Sequence, residues 1–243
     1  MYSFPPLAAG IGALHTVVTG LITLLTPLLG TGSAAGAIIV LTIAIRLILT
    51  PFGFAQVRAE QHRLRLAPQV RDLKRRYQHN RQKLQQEITK LYTTAGTSPL
   101  AGCLPTLAKA PVFTVVYGLF LTDDIHGRPN DLLEAPLAGV PLGLRFADAA
   151  GTPDMMIFAL LIILLGVVAW ASVRLATAAQ AASPDMPGGA VVRYLPYATM
   201  LIAGIVPLAA GLYLLTTTAW TAMERALFRR FLTGSVMVKT TRP

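Results

Sequence analysis

The sequence predicts an all-α polytopic membrane protein: a bundle of five transmembrane helices with a cytoplasmic helical hairpin and an N-terminal interfacial helix. Three observations carry that expectation. The 243-residue chain is 53% hydrophobic and only 13% charged, whereas soluble domains carry about 25% charged residues. Its apolar stretches approach or reach the roughly 20 residues that a membrane helix needs. Its basic residues, which leave a formal net charge of +10, fall in segments flanking those stretches, the pattern of cytoplasmic loops.

The first element, residues 1–30, is expected as an amphipathic or interfacial helix. Before Arg46 there is no Lys, Arg, Asp or Glu. Without a basic n-region, a cleaved signal peptide is not expected. In the stretch 7–29, His15, Thr19, Thr23 and Thr26 fall at helical spacing on one side. Ile11, Leu14, Val18, Leu21, Ile22, Leu25 and Leu28 share another. A weakly amphipathic helix lying along the outer interface suits this pattern and is preferred to a sixth span.

Residues 31–230 form the core, with spans at about 34–51, 102–121, 155–173, 194–206 and 208–224. After the first span comes a strongly basic stretch with ten Lys and Arg between 58 and 90, opposed by Glu60, Asp72 and Glu87. Placing it in the cytoplasm sets the direction of the first crossing. The loop 122–154 is acidic on balance and suits the outer face. The stretch 174–193, rich in Ala, Gly and Pro, reads as a mobile cytoplasmic linker. The apolar run 194–223 has Arg193 at one end and Arg225, Arg229 and Arg230 at the other. Two crossings broken near Pro207 keep both basic ends inside. The fourth span then has about 13 residues, near 20 Å at roughly 1.5 Å each, short of a hydrocarbon core of about 30 Å. Residues 231–243 are left as a short basic cytoplasmic tail.

Within the basic stretch, residues 56–93 read as a helical hairpin. Leu66, Val70, Leu73 and Tyr77 repeat at helical spacing, as do Leu84, Ile88 and Leu91, with the polar break QHNRQ at 78–82 between them. Its charge serves either topology alone or binding to anionic headgroups, ribosomal RNA or an emerging chain. Near absence of aromatic residues and of any RNA-recognition motif argues against sequence-specific nucleic-acid binding.

Two further stretches, LYTTAGTSPLAGCLPTLAKAPVFTVVYGLF (91–120) and PLAAGLYLLTTTAWTAMERALFRR (207–230), together with the basic hairpin, resemble the YidC/Oxa family of membrane protein insertases. In that family a Leu-Tyr turn leads to N-P-L-x-G-C-L-P and Q-x-P-[IV]-F-x-x-[LF]-[YF], and the last span reads roughly P-x-x-L-x-Y-W-x-T-[SN]-N. The resemblance runs from about residue 34 to 230. It implies an insertase and chaperone, not an enzyme, which helps nascent transmembrane segments into the bilayer through a positively charged hydrophilic groove. It also implies nascent membrane proteins and lipids as partners, with the ribosome and a Sec-type translocon as further ones, at the plasma (inner) membrane. Departures are Ser98 for Asn, Lys109 for Gln, and Leu214 for the Trp after Tyr213, while Thr216-Thr217-Thr218 cover the Thr-Ser/Asn-Asn positions.

By this resemblance Arg46 takes the place of the groove arginine, and Lys109 adds a second cation. An arginine at the centre of a membrane helix costs about 2.5–3.5 kcal/mol on insertion scales, yet Arg46 lies only about 7–8 Å from the expected cytoplasmic end. Its side chain either snorkels to that surface or faces a wet groove, and Lys109 presents the same pair of alternatives. Thr42 shares the helical face of Arg46. Tyr213, Thr216 and Thr217 add hydroxyls from the last span, although threonines in membrane helices also bond their own backbone and a tyrosine can anchor at the interface.

Rival functions are weaker. The histidines His15, His62, His79 and His126 are dispersed, the acidic residues 123–134 read as a solvated loop, and no nucleophile elbow or P-loop occurs. No cofactor or metal is expected, and the lone Cys103 permits no intrachain disulfide. A small-solute or anion transporter or channel is the main alternative, because buried cations also mark anion pathways. A structural assembly factor is the third.

Overall fold

The computed structural model describes residues 5–98, 104–125, 127–180 and 195–240. Helix α1, Pro5–Leu29, turns at a 3-10 segment, Gly30–Gly32, into α2, Ser33–Arg76. Gly30 makes the corner with a positive φ of 54°, open to glycine at no steric cost. Ile11 and Val18 of α1 are buried, with Leu14, Leu21, Ile22 and Leu25 packed beside them. Leu28, expected on the same side, is exposed instead, because it lies at the corner beyond the packed face. The polar stripe satisfies itself: the hydroxyls of Thr19, Thr23 and Thr26 donate to the carbonyls of His15, Thr19 and Ile22.

Where the sequence suggested a span followed by a separate hairpin, α2 is one helix of 44 residues, with Pro51 and Pro68 inside it. A proline removes a single backbone donor. Here Leu49, Gly53 and Val57 are buried on either side of Pro51, so tertiary packing carries the helix through. Lys74, Arg75 and Arg76 fill its last turn, where cations oppose the helix dipole favourably. The turn Tyr77–Asn80 falls at the expected polar break. The Asn80 side chain then accepts from the Lys83 N–H at 2.9 Å, capping α3, Arg81–Thr94.

Helix α4, Leu104–Leu121, leads into an irregular cap. The cap holds two two-stranded antiparallel hairpins, β1 (Asp124–Ile125) with β2 (Arg128–Pro129) and β3 (Pro136–Leu137) with β4 (Val140–Pro141), around the single-turn α5, Asp131–Glu134. The next helix, α6, spans Met155–Gln180. It continues into the expected linker because the sequence there, Leu-Ala-Thr-Ala-Ala-Gln, is rich in the best helix former. The rest of that linker, 181–194, lies outside the described residues. A 3-10 turn, Leu195–Tyr197, leads to α7, Ala198–Ala203, which ends at Gly204. The last helix, α8, runs Leu208–Thr240, well past residue 224 and through most of the expected tail.

Contacts along the helices give their directions. Gly211 of α8 meets Leu161 of α6, and further on Arg229 donates to the Leu175 carbonyl. Gly53 of α2 meets Glu224, Phe54 meets Phe228 edge-on at 5.5 Å, and Glu60 pairs with Arg229 at 2.6 Å. Helices α2, α6 and α8 therefore run in parallel from the cap end to a basic end. Outside the bundle the surface is apolar: Ile48 is 73% exposed and Leu201 75%, with Leu160, Ile163, Val167 and Trp170 exposed along one side of α6. Soluble monomers rarely show so extensive an apolar exterior. The stretches Pro5–Arg76 and Met155–Ala176 are long and apolar enough to cross a membrane, and Leu107–Leu121 is a shorter apolar helix. The architecture is that of an all-α membrane protein.

The cap closes one end of the core. Leu208 and Ala209 N–H, at the start of α8, donate to the carbonyls of Leu144 and Leu142 at 2.9 Å each, satisfying donors that a helix leaves open at its first turn. The buried Asn130 side chain donates to the carbonyls of Leu119 and Thr122, at 2.8 and 2.9 Å, and so ties the cap to the end of α4. Replacing Asn130 with Ala leaves those carbonyls short of a partner. The expected loss is about 1–3 kcal/mol, read as a lower thermal midpoint of the detergent-solubilised protein.

Candidate functional site: a buried polar slot

The interface between α2 and α8 has an unusual composition for the inside of such a bundle. On α2, Thr42, Arg46, Leu49 and Gly53 follow one another at intervals of four, three and four residues. On α8, Tyr213, Thr217, Trp220 and Glu224 do the same. Such spacing keeps each set on one helical face, and the parallel run of the two helices brings the faces together over roughly 16 Å. Helix α4 covers the seam with Lys109 and Phe113.

Arg46 is 6% exposed and Lys109 6%. Neither reaches out along its own helix to the surface, so the snorkelling alternative does not describe them. The Arg46 guanidinium instead lies over the Phe113 ring, 5.0 Å from its centroid, a cation–π contact. Tyr213 packs against Phe113 and Phe120, with centroid separations of 6.4 and 5.7 Å. Glu224 is 7% exposed, and its carboxylate rests against Gly53, where a Cβ would stand 2.9 Å from Oε2. Only a residue without a side chain leaves that room on α2.

The slot is rich in unanswered hydrogen-bonding groups. Arg46 Nε, the hydroxyls of Tyr213 and Thr217, Trp220 Nε1 and Glu224 Oε1 are all buried without a hydrogen-bond partner. Buried polar groups normally find partners in protein or ordered water, and leaving one unsatisfied costs about 1–3 kcal/mol. Five on one seam define a place that attracts water or polar groups from another molecule. The other expected hydroxyls behave differently. Thr42 donates to the Ile38 carbonyl at 2.6 Å and Thr216 to the Leu212 carbonyl at 2.9 Å, so their protons are committed to their own helices. Thr42 remains in the wall of the slot, 1% exposed, beside Arg46.

Among the six residues named from the sequence, the structure thus gathers Arg46, Lys109, Tyr213 and Thr217, with Thr42 in the wall and Thr216 bonded away. Sequence reasoning missed Glu224, Trp220, Phe113 and Gly53. The regular interval 213–217–220–224 is a signal that would have found the two on α8. Among the described residues no group of three or more His, Cys, Asp or Glu could hold a metal ion. The motif residues 99–103, with Cys103, lie outside the described residues.

An apolar helical bundle enclosing a charged, hydroxyl-lined seam is the architecture of an integral membrane protein. The profile of the family described as 60Kd inner membrane protein matches residues 25–235, and the chain belongs to this YidC/Oxa1/Alb3 family. It is 28% identical over 213 residues to ALBINO3-like protein 1, chloroplastic, of Arabidopsis thaliana, an alignment covering 80% of this chain and 43% of the relative. It is 35% identical over 129 residues to the membrane protein insertase YidC of Streptomyces avermitilis, covering 49% and 30%. With the protein of the same name from Clostridium perfringens it shares 37% over 92 residues, covering 37% and 39%. The chain spans less than half the length of these curated relatives.

Removing the Tyr213 hydroxyl deletes a group with no well-formed hydrogen bond, its neighbour being the Thr217 hydroxyl. Tyr213→Phe is expected to shift stability by less than about 1 kcal/mol, so its thermal midpoint stays close to that of the wild type while Asn130→Ala falls.

Proposed function

We propose that the protein is a membrane protein insertase that helps nascent transmembrane segments enter the lipid bilayer, acting by solvation and not by bond-making chemistry. The observation that carries this reading is the slot itself: two cations and five unanswered polar groups enclosed by a bundle with an apolar exterior. Family membership and relatives that bear the name membrane protein insertase support it.

In this reading the five spans lie at about 34–51, 102–121, 155–173, 194–206 and 208–224. The basic end faces the cytoplasm of a plasma membrane, in keeping with the rule that Lys and Arg stay inside. The far half of α2 with α3 then projects from the membrane as a basic helical pair for anionic lipid headgroups, the ribosome or a Sec-type translocon, and the C-terminus is cytoplasmic. Helix α1 lies along the outer interface.

A passenger must carry a polar or acidic tail across hydrocarbon, and an unpaired polar group costs several kcal/mol there. A hydrated slot reaching partway through the bilayer shortens that path. The short fourth span, only Leu195–Ala203 of which is helical among the described residues, shortens it further by thinning the bilayer locally. Arg46 attracts acidic side chains and exposed carbonyls in transit. The passenger's apolar segment then leaves sideways because its surface is better solvated by lipid tails than by the slot.

Arg46→Ala is expected to reduce insertion of an acidic-tailed single-span protein into reconstituted vesicles about tenfold, the equivalent of ~1.4 kcal/mol. Arg46→Lys retains most of the activity. Equal insertion by the wild type and both variants overturns the role of charge.

A further inference from the structure

Glu224 is the charged member of the slot that the insertase reading leaves unused. It is as well buried as the two cations and close enough to interact electrostatically with both Arg46 and Lys109. Yet no ion pair within 4.0 Å joins it to either of them. Its Oε1 is without a partner, and its carboxylate reaches across to α2 and rests against Gly53, two turns or roughly 10 Å along that helix from Arg46. A carboxylate clamped on a cation by direct contact has to be torn away before that cation can serve anything else, at a cost of several kcal/mol when buried. A carboxylate set two turns along the slot from Arg46 balances the cations without being clamped on either of them. The formal count is then two cations against one carboxylate, a slot of charge +1. Arg225, next along the same helix, also acts on Lys109 but lines a groove against α6 with Ser172 and Leu175, outside the seam, and is not counted in it.

We propose that Glu224 is a built-in counter-charge that sets the charge preference of the slot, favouring passengers whose translocated tail carries one acidic residue over tails with none or with two. This rests on the insertase reading above. One passenger carboxylate brings the slot to neutrality; a second meets no uncompensated cation and is repelled by Glu224. Glu224 is a specificity-determining residue, and Lys109 is its balancing partner.

The test uses the full chain in lipid vesicles and three single-span passengers that differ only in having no, one or two Asp in the tail. Wild type is expected to insert the one-Asp passenger best. Glu224→Gln, with a slot of charge +2, improves the two-Asp passenger relative to the one-Asp passenger by threefold or more. Lys109→Gln, with a neutral slot, loses the preference for acidic tails. The double variant Lys109→Gln/Glu224→Gln returns to +1 and to the wild-type order, a rescue that a merely structural role for either residue does not produce. Glu224→Asp keeps the charge and the wild-type order. Should Glu224→Gln fail to fold, the comparison of Lys109→Gln with the double variant carries the test. If every variant ranks the passengers as the wild type does while Arg46→Ala still impairs insertion, the role of Glu224 is overturned and the insertase reading stands. If the wild type inserts none of the three, the insertase reading itself fails.

Discussion

The structure depends on keeping charge inside a bundle that is apolar outside. Moving a guanidinium, an ammonium and a carboxylate out of water costs several kcal/mol each, even after relaxation. Arg46, Lys109 and Glu224 are nevertheless all within a few per cent of full burial. Attraction of both cations to Glu224 offsets part of that cost, and the Phe113 ring face under Arg46 offsets a further part. Every helix that walls the slot is constrained by this balance: if α2, α4 and α8 separated, the charges would meet lipid.

Local sequence provides the means to hold them together. Small residues admit close approach, Gly53 for the Glu224 carboxylate and, on the apolar side of α8, Gly211 for the Leu161 side chain of α6. Aromatic rings take up the space between charges, with Phe113, Phe120 and Tyr213 forming a connected set. Toward the basic end, Arg229 reaches both Glu60 of α2 and the Leu175 carbonyl of α6. One guanidinium thereby links three parallel helices below the slot, with Phe54 and Phe228 in edge contact beside it.

The two ends of the bundle have opposite characters. At the cap end, Ile38, Val116, Leu119, Phe120 and Leu208 are fully buried, and the backbone of the cap supplies acceptors to the first turn of α8. This half of the seam is apolar and held shut by hydrogen bonds. Toward the other end the same seam becomes polar at Arg46 and remains so through Glu224 to the Glu60–Arg229 pair. Such a gradient suits a slot that receives polar groups from one side of the membrane only, as the proposed function requires.

Composition and periodicity alone determined the all-α membrane class, the break near 78–82, the break near Pro207 and the presence of a buried-charge problem at Arg46, because each depends on local quantities: hydropathy, helical spacing and single breaker residues. The continuity of α2 through Pro51 was decided by packing against helices distant in the chain, whereas α6 extends through local Ala-rich helix propensity. The site divides in the same way. Arg46, Lys109, Tyr213 and Thr217 were legible as polar residues in apolar spans, whereas Glu224, at the very end of the expected last span, drew no reading until tertiary structure set it against Gly53. Whether a hydroxyl serves the slot or its own helix, as Thr217 and Thr216 divide, depends on rotation about α8. Only the neighbours that α8 packs against fix that rotation, because the free energy of burying each face exists only when another helix is there to cover it.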